Sequence, residues 1–129
     1  MVMNMESNPR RDVEAEINFL TPEEGGRRTP VLSGYRPQFY CDGQDFVVVM
    51  DFFGVAEPVY PGQNATAYLT FISPEYLVKI LYPGKEFLIR EGERVVARGR
   101  VTKILDLEGS AKEAEEYNAK WRGTKHGAT

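Results

Sequence analysis

One cysteine, Cys41, and one histidine, His126, are all that this chain has of the two most versatile catalytic and metal-ligating side chains. A lone cysteine excludes an intramolecular disulfide and any multi-cysteine zinc site, which suits a reducing compartment. His126 falls near the end of a polar tail, a poor place for a general base that must be held in position. Cys41 falls in a predicted strand and reads as a packed core thiol rather than a nucleophile. No run approaches the roughly 18 apolar residues of a membrane span. Arg10 and Arg11 are followed by no apolar stretch, so the start is not read as a signal peptide. There is no excess of positive charge either. Sixteen Lys and Arg against nineteen Asp and Glu give a net charge of -3, which argues against non-specific nucleic-acid binding and leaves room only for a local basic patch. The triplet Asn64-Ala65-Thr66 fits the glycosylation pattern, but so short a pattern arises by chance. These absences lead to the expectation of a cytoplasmic, soluble protein that is not an enzyme and uses no cofactor, metal, nucleotide or membrane.

What is present is the balance of an ordinary globular domain: 42 % hydrophobic and 27 % charged residues, in a chain long enough for one core and too short for two. Residues 1–11 read as a loose leader. From Asp12 to Leu20, Val13, Ala15, Ile17 and Phe19 alternate with Glu14, Glu16 and Asn18, the period of a half-buried strand. Thr21 to Gly26 is a loop. Further strands are expected over Pro37–Cys41, Phe46–Phe53, Ala65–Ile72, Glu86–Arg90 and Val95–Leu105. The second of these, Phe46–Phe53, is so continuously apolar that it is placed deep in the sheet. Asp42-Gly43 and Glu91-Gly92-Glu93 read as hairpin turns, and Tyr60-Pro61-Gly62 and Tyr82-Pro83-Gly84 as type II turns. Short strands with this punctuation make a sandwich or a closed barrel over residues 12–106. In residues 107–129, Ser110 is expected to cap a short helix through Ala111–Trp121. Its stripe of Ala114, Tyr117 and Trp121 would pack on the barrel, or dock a partner; Gly123–Thr129 would fray.

Two segments carry a resemblance: Glu23-Glu24-Gly25-Gly26-Arg27-Arg28-Thr29-Pro30 and Gly34-Tyr35-Arg36-Pro37-Gln38-Phe39-Tyr40. With Tyr60-Pro61-Gly62-Gln63-Asn64, Ile89-Arg90-Glu91-Gly92 and the strand from Gly99 to Leu105, they resemble, in order, the third domain of elongation factor Tu. The resemblance runs from about Asp12 to Leu105. It implies an all-β fold, a six-stranded antiparallel closed β-barrel, to which this chain adds a short C-terminal α-helix. No Gly-x-x-x-x-Gly-Lys-Ser/Thr loop is present, so GTP hydrolysis is not expected of this chain. In that family the domain is a binding surface that touches the T-stem of aminoacyl-tRNA, neighbouring domains and the exchange factor.

Carried over by position, the implied RNA contacts are Arg28 (where the family has histidine), Thr29, Gln38, Glu91 and Gly92. Cationic and amide groups suit phosphates, while a carboxylate and a glycine backbone suit ribose hydroxyls. Val47 replaces a family threonine and loses a hydroxyl. Arg98, Arg100 and Lys103 form a possible basic stripe. A plain structural account competes for every one of these: Gly25-Gly26 shapes a turn, Arg36-Pro37 directs the chain, Glu91-Gly92 makes a hairpin, and the arginines from Arg90 to Arg100 form a solvated face balanced by Glu91 and Glu93. Two apolar clusters, Phe52 to Tyr60 and Tyr76 to Tyr82, are either core or partner surface. The expected function is a non-catalytic binding module related to the translation factor, contacting tRNA or a translation-machinery protein. The alternative is a protein-interaction or regulatory domain that kept the barrel without RNA binding.

Overall fold

Every alternating segment of the sequence becomes a strand. The computed structural model describes residues 10–128, with side chains as far as residue 121. Its strands are β1 (Val13–Phe19), β2 (Gln38–Cys41), β3 (Gln44–Phe53), β4 (Asn64–Phe71), β5 (Glu86–Glu91) and β6 (Arg94–Ile104), and one helix, α1 (Leu107–Ala128), follows them. The strands close in the order β1-β4-β3-β2-β5-β6, every neighbouring pair antiparallel. Closure leaves no unpaired edge, which is how a small β-protein avoids sticking to its own kind. It also gives the barrel one interior, filled by Val13, Ile17, Phe39, Val48, Met50, Leu69, Ile89 and Val101 from all six strands. Phe39 stacks on Phe87 at 4.3 Å and meets Phe71 edge-on at 4.9 Å.

The turns follow their residues. Asp42 and Gly43 both have positive φ, 52° and 81°, in the two-residue β2–β3 hairpin, the geometry that matches strand twist. Gln63 N donates to Tyr60 O and Lys85 N to Tyr82 O, closing the two Pro-Gly turns. The expected loop at Thr21–Gly26 contains a one-turn 3₁₀ helix, Pro22–Glu24, with a reciprocal Thr21/Glu24 capping box. A second one spans Pro74–Tyr76.

Four expectations need correction. β3 is not buried on both sides: Val48, Met50 and Phe52 face inward, while Val47 is 45 % exposed. A barrel has a single interior, so the outward apolar residues are covered only by neighbours, as Phe53 is by Tyr68 at 4.2 Å. The leader, expected over residues 1–11, lies outside the described residues up to residue 9. Arg10 and Arg11 are fixed: Thr70 Oγ1 donates to Arg10 O, and the Arg11 guanidinium lies 4.0 Å over the Tyr68 ring. The helix is 22 residues long rather than short, starts before Ser110, and its backbone stays helical through the span expected to fray, as far as Ala128. Asp106, a residue of N-cap type, stands directly before α1, and its carbonyl accepts from Ser110 N at 2.9 Å. Finally, Tyr117 and Trp121 do not pack on the barrel; they are 60 % and 53 % exposed. Leu107, Ser110 and Ala111 are the buried anchors instead.

Candidate functional site

The loop after β1 is bent by its glycines so that Arg27, with Thr29 bound to it, faces the β5–β6 turn. Gly25 has φ of 97°, a conformation that costs glycine little. Gly26 is buried, and a Cβ there would fall inside contact distance of the Leu20 carbonyl. The chain therefore turns back tightly and presents Arg27, Arg28 and Thr29. Arg27 folds inward. Its Nη1 pairs with the Glu91 carboxylate, Nη2 donates to Thr29 Oγ1 at 2.9 Å, and Nε donates to the Thr29 carbonyl at 3.2 Å. The same guanidinium lies 5.3 Å from the centre of the Tyr35 ring, whose hydroxyl donates to Glu91. Burial, and then the Glu91 carboxylate, push that hydroxyl well above its ordinary pKa, so it remains a donor. A knot of Arg27, Tyr35 and Glu91 thus ties the loop to the hairpin.

Of the five residues expected to contact RNA, the structure gathers four around this knot. Thr29 is joined through Arg27. Gln38, Glu91 and Gly92 line one open groove of about 320 Å³, with Arg36 and Arg90. Arg28 stands apart: it is exposed and has no hydrogen-bond or ion-pair partner among the described residues. The Glu91 carboxylate is taken up by Arg27 and Tyr35, which leaves the exposed Gly92 backbone as the free part of that turn. Gln38 sits opposite Arg90 across β2 and β5. Its Oε1 is buried and unpaired, as is Arg90 Nε. Arg90 is not part of a solvated face: it lies 4.2 Å over the Tyr40 ring, and its Nη2 is 3.2 Å from Asp45.

Sequence reasoning passed over Arg27 and Tyr35. Both stand in the segments that carry the resemblance, but nothing local says which of two adjacent arginines turns inward. That is decided by Tyr35, outside the loop, and by Glu91, far away in the chain.

The basic stripe exists, in a particular form. Arg98 and Arg100 are two apart on β6 and both exposed, so they point outward about 6.6 Å apart. Strict alternation would turn Lys103 inward. The register shift opposite Glu14 and Ala15 adds one residue to β6, so Lys103 pairs with Glu14 and stays outside. The flanking strands set acids opposite two of the three cations, Arg100 and Lys103. Arg100 lies between Glu16 and Glu86, and Arg98 between Asn18 and Leu88. These residues line the rim of a groove of about 430 Å³.

Elsewhere, the Cys41 thiol is buried and its pKa is pushed up by that burial and then by Asp42. The His126 side chain lies outside the described residues. Among the described residues, no three His, Cys, Asp or Glu converge as metal ligands, and no helix is long and apolar enough to cross a membrane. The two apolar clusters divide. Phe52, Val59, Leu77 and Leu81 are core, while Tyr60, Tyr76 and Tyr82 are more than half exposed.

One polar centre had no sequence signal. Asp12 has no exposed surface, yet it accepts from Phe71 N at 2.8 Å and from the Ser110 hydroxyl. Arg10 closes the cluster, 2.8 Å from Glu113 and 3.4 Å from Asp106. The cluster clamps β1, β4 and α1 together.

Comparison with known families gives one match over most of the chain: the family described as Elongation factor Tu C-terminal domain, over residues 6–105. The match covers all six strands and stops just before α1.

Proposed function

This chain belongs to the elongation factor Tu C-terminal domain family, and from that premise we propose that it is a non-catalytic cytoplasmic module that grips a helical RNA of the tRNA kind. As a member of that family it is a binding module related to a translation factor. The observation that supports the finer reading is the convergence at the β1–β2 loop and the β5–β6 turn. The Arg27–Tyr35–Glu91 knot gathers Thr29, Gln38 and Gly92, and Arg28, next to Arg27 in the loop, is exposed and without a partner among the described residues. An unpaired arginine is a bidentate phosphate ligand. The Gln38 side chain lines the same open groove, and its amide, turned outward there, offers a partner to a ribose hydroxyl, the group that separates RNA from DNA. No catalytic role is assigned to any residue of this surface.

The test is a tRNA-binding titration of the purified chain at two salt concentrations, with Arg28→Ala alongside. Binding is expected to weaken as salt rises. The substitution should weaken it further and reduce the slope of log K against log salt by about one phosphate's worth. No binding at low salt, or binding indifferent to Arg28→Ala, would overturn the RNA reading.

A protein-interaction or regulatory role is the second reading. It is favoured by the glutamates that stand opposite Arg100 and Lys103, by the exposed Val47 where a hydroxyl would be wanted, and by α1. It predicts a translation-machinery or other protein partner whose affinity changes little with salt.

A further inference from the structure

Arg36 is absent from the RNA contacts that the resemblance implies; with Pro37 it directs the chain. Its backbone does serve that purpose. On one side the Tyr35 carbonyl accepts from Met50 N at 2.9 Å, and on the other the Pro37 carbonyl accepts from Val48 N at 3.3 Å. The segment is therefore pinned to β3 on both sides of Arg36. Its side chain has no such duty. It is exposed next to the buried Pro37, and it has no hydrogen-bond, ion-pair or ring partner among the described residues.

Arg36 lines the groove of about 320 Å³ together with Gln38, Arg90, Glu91 and Gly92. Of the three charged residues in that lining, two are already engaged. Glu91 is taken up by Arg27 and the Tyr35 hydroxyl, and Arg90 is held by the Tyr40 ring and Asp45. The Arg36 guanidinium is the charge left over, so the groove as a whole is cationic. The β5–β6 turn adds a donor of the same sense. Gly92 has φ of 62°, its N–H has no partner among the described residues, and a Cβ built there would meet nothing within 4 Å. An open backbone N–H in the same groove as an unpaired guanidinium suits an oxyanion. Glu93, the next residue, is exposed and does not line the groove. Apart from Tyr35 and Pro37 the lining is polar, which leaves little apolar area for a protein side chain to bury. A phosphate of a nucleic-acid backbone therefore fits it better than a carboxylate carried by a protein.

We infer that Arg36 holds a backbone phosphate of the bound RNA, with the Gly92 N–H as a further donor in the same groove. The inference rests on the RNA reading above. It adds to that reading a cation inside the groove itself, separate from Arg28 in the β1–β2 loop.

Titration of the full chain with tRNA over a series of salt concentrations tests it, with Arg36→Ala, Arg36→Lys and Arg28→Ala measured side by side. Arg36→Ala is expected to weaken binding about tenfold or more, as loss of a charged hydrogen bond does, and to lower the slope of log K against log salt by about 0.9. Arg36→Lys keeps the charge and loses the fork, so it should restore the slope and only part of the affinity. Thermal melting of Arg36→Ala should match the wild type, because the side chain is exposed. Salt-sensitive binding that responds to Arg28→Ala and ignores Arg36→Ala overturns this inference and leaves the RNA reading standing. Weaker binding by Arg36→Ala with an unchanged slope also overturns it, since the residue would then act on the shape of the loop. A wild type that binds no tRNA at low salt overturns both. In that case a short polyglutamate peptide that shifts the Gly92 amide resonance would assign the groove to the carboxylates of a protein.

Discussion

Gly99 stands between two exposed arginines in β6, and a methyl group there has nowhere to go. The edge of the Phe87 ring occupies the space a Cβ would need, and the Glu16 carbonyl lies 3.0 Å from it. Phe87 is itself stacked on Phe39, so displacing its ring disturbs that contact. Gly99→Ala is expected to overpack this corner and cost about 1–3 kcal/mol. Urea unfolding should show it as a lower midpoint with an unchanged slope; an unchanged midpoint would mean that the ring moves aside freely. The sequence gives no hint of this role, because the ring that forbids the methyl comes from a different strand. The same limit explains Arg27 and Arg28. Which of the two turns inward is set by Tyr35 and Glu91 and by the tight bend at Gly26. Local spacing reveals turns and caps, as at Asp42-Gly43 and the two Pro-Gly pairs, and it is silent on contacts made across the barrel.

At the level of elements, the strands were legible to within two residues of their ends because each has one face inward, and period two is the direct imprint of that. The helix was legible in existence and misread in placement. Its amphipathic stripe pointed to Tyr117 and Trp121, whereas the docking is done by Leu107, Ser110 and Ala111, fastened to a buried carboxylate in β1's approach. Asp12 is where this element answers to pH. Burial raises its pKa above the ordinary 3.8, against the opposing pull of the Phe71 amide, the Ser110 hydroxyl and Arg10, with Asp106 adding to the rise. A raised acid favours the folded state when protonated. Its contribution is therefore fully present below the ordinary value and is lost as pH climbs through the folded value. Glu113, held low by Arg10, acts in the opposite direction from an exposed position. Asp12→Asn keeps an acceptor for the Phe71 amide without a charge. It is expected to gain on the wild type in thermal midpoint as pH rises from about 4 towards neutrality. Melting curves across that range check it, and parallel curves for the two proteins would show that the buried carboxylate costs nothing when ionised. Ser110→Ala should lower the midpoint at neutral pH, since it strips a donor from a buried anion, a loss of about 1–3 kcal/mol.

For the whole molecule, the family and the folding unit do not end at the same residue. The match to the family stops at residue 105, where the barrel's last strand is complete. The core does not stop there: Leu107 is 1 % exposed and belongs to the barrel's hydrophobic cluster, Ala111 is buried behind it, and Ser110 covers Asp12. Removing α1 altogether would uncover the Leu107 site and open a buried carboxylate to water. The first effect alone costs about 1.5–3 kcal/mol of apolar burial. The second is partly self-correcting, because a solvated Asp12 ionises without penalty. A chain shortened after Leu105 is therefore expected to keep the six-stranded barrel, since every strand pairing remains, but to melt lower by at least several degrees. A chain shortened after Glu116 keeps Leu107, Ser110 and Ala111 and should melt close to the full chain, while losing Tyr117 and Trp121. Thermal unfolding of the two side by side decides the matter. If both melt like the full chain, the first turns of α1 rest on the barrel without supporting it. If both fall equally, the distal half of the helix carries stability that its exposed side chains do not account for, and its two rings would have to be read as part of the fold rather than as a surface for a partner.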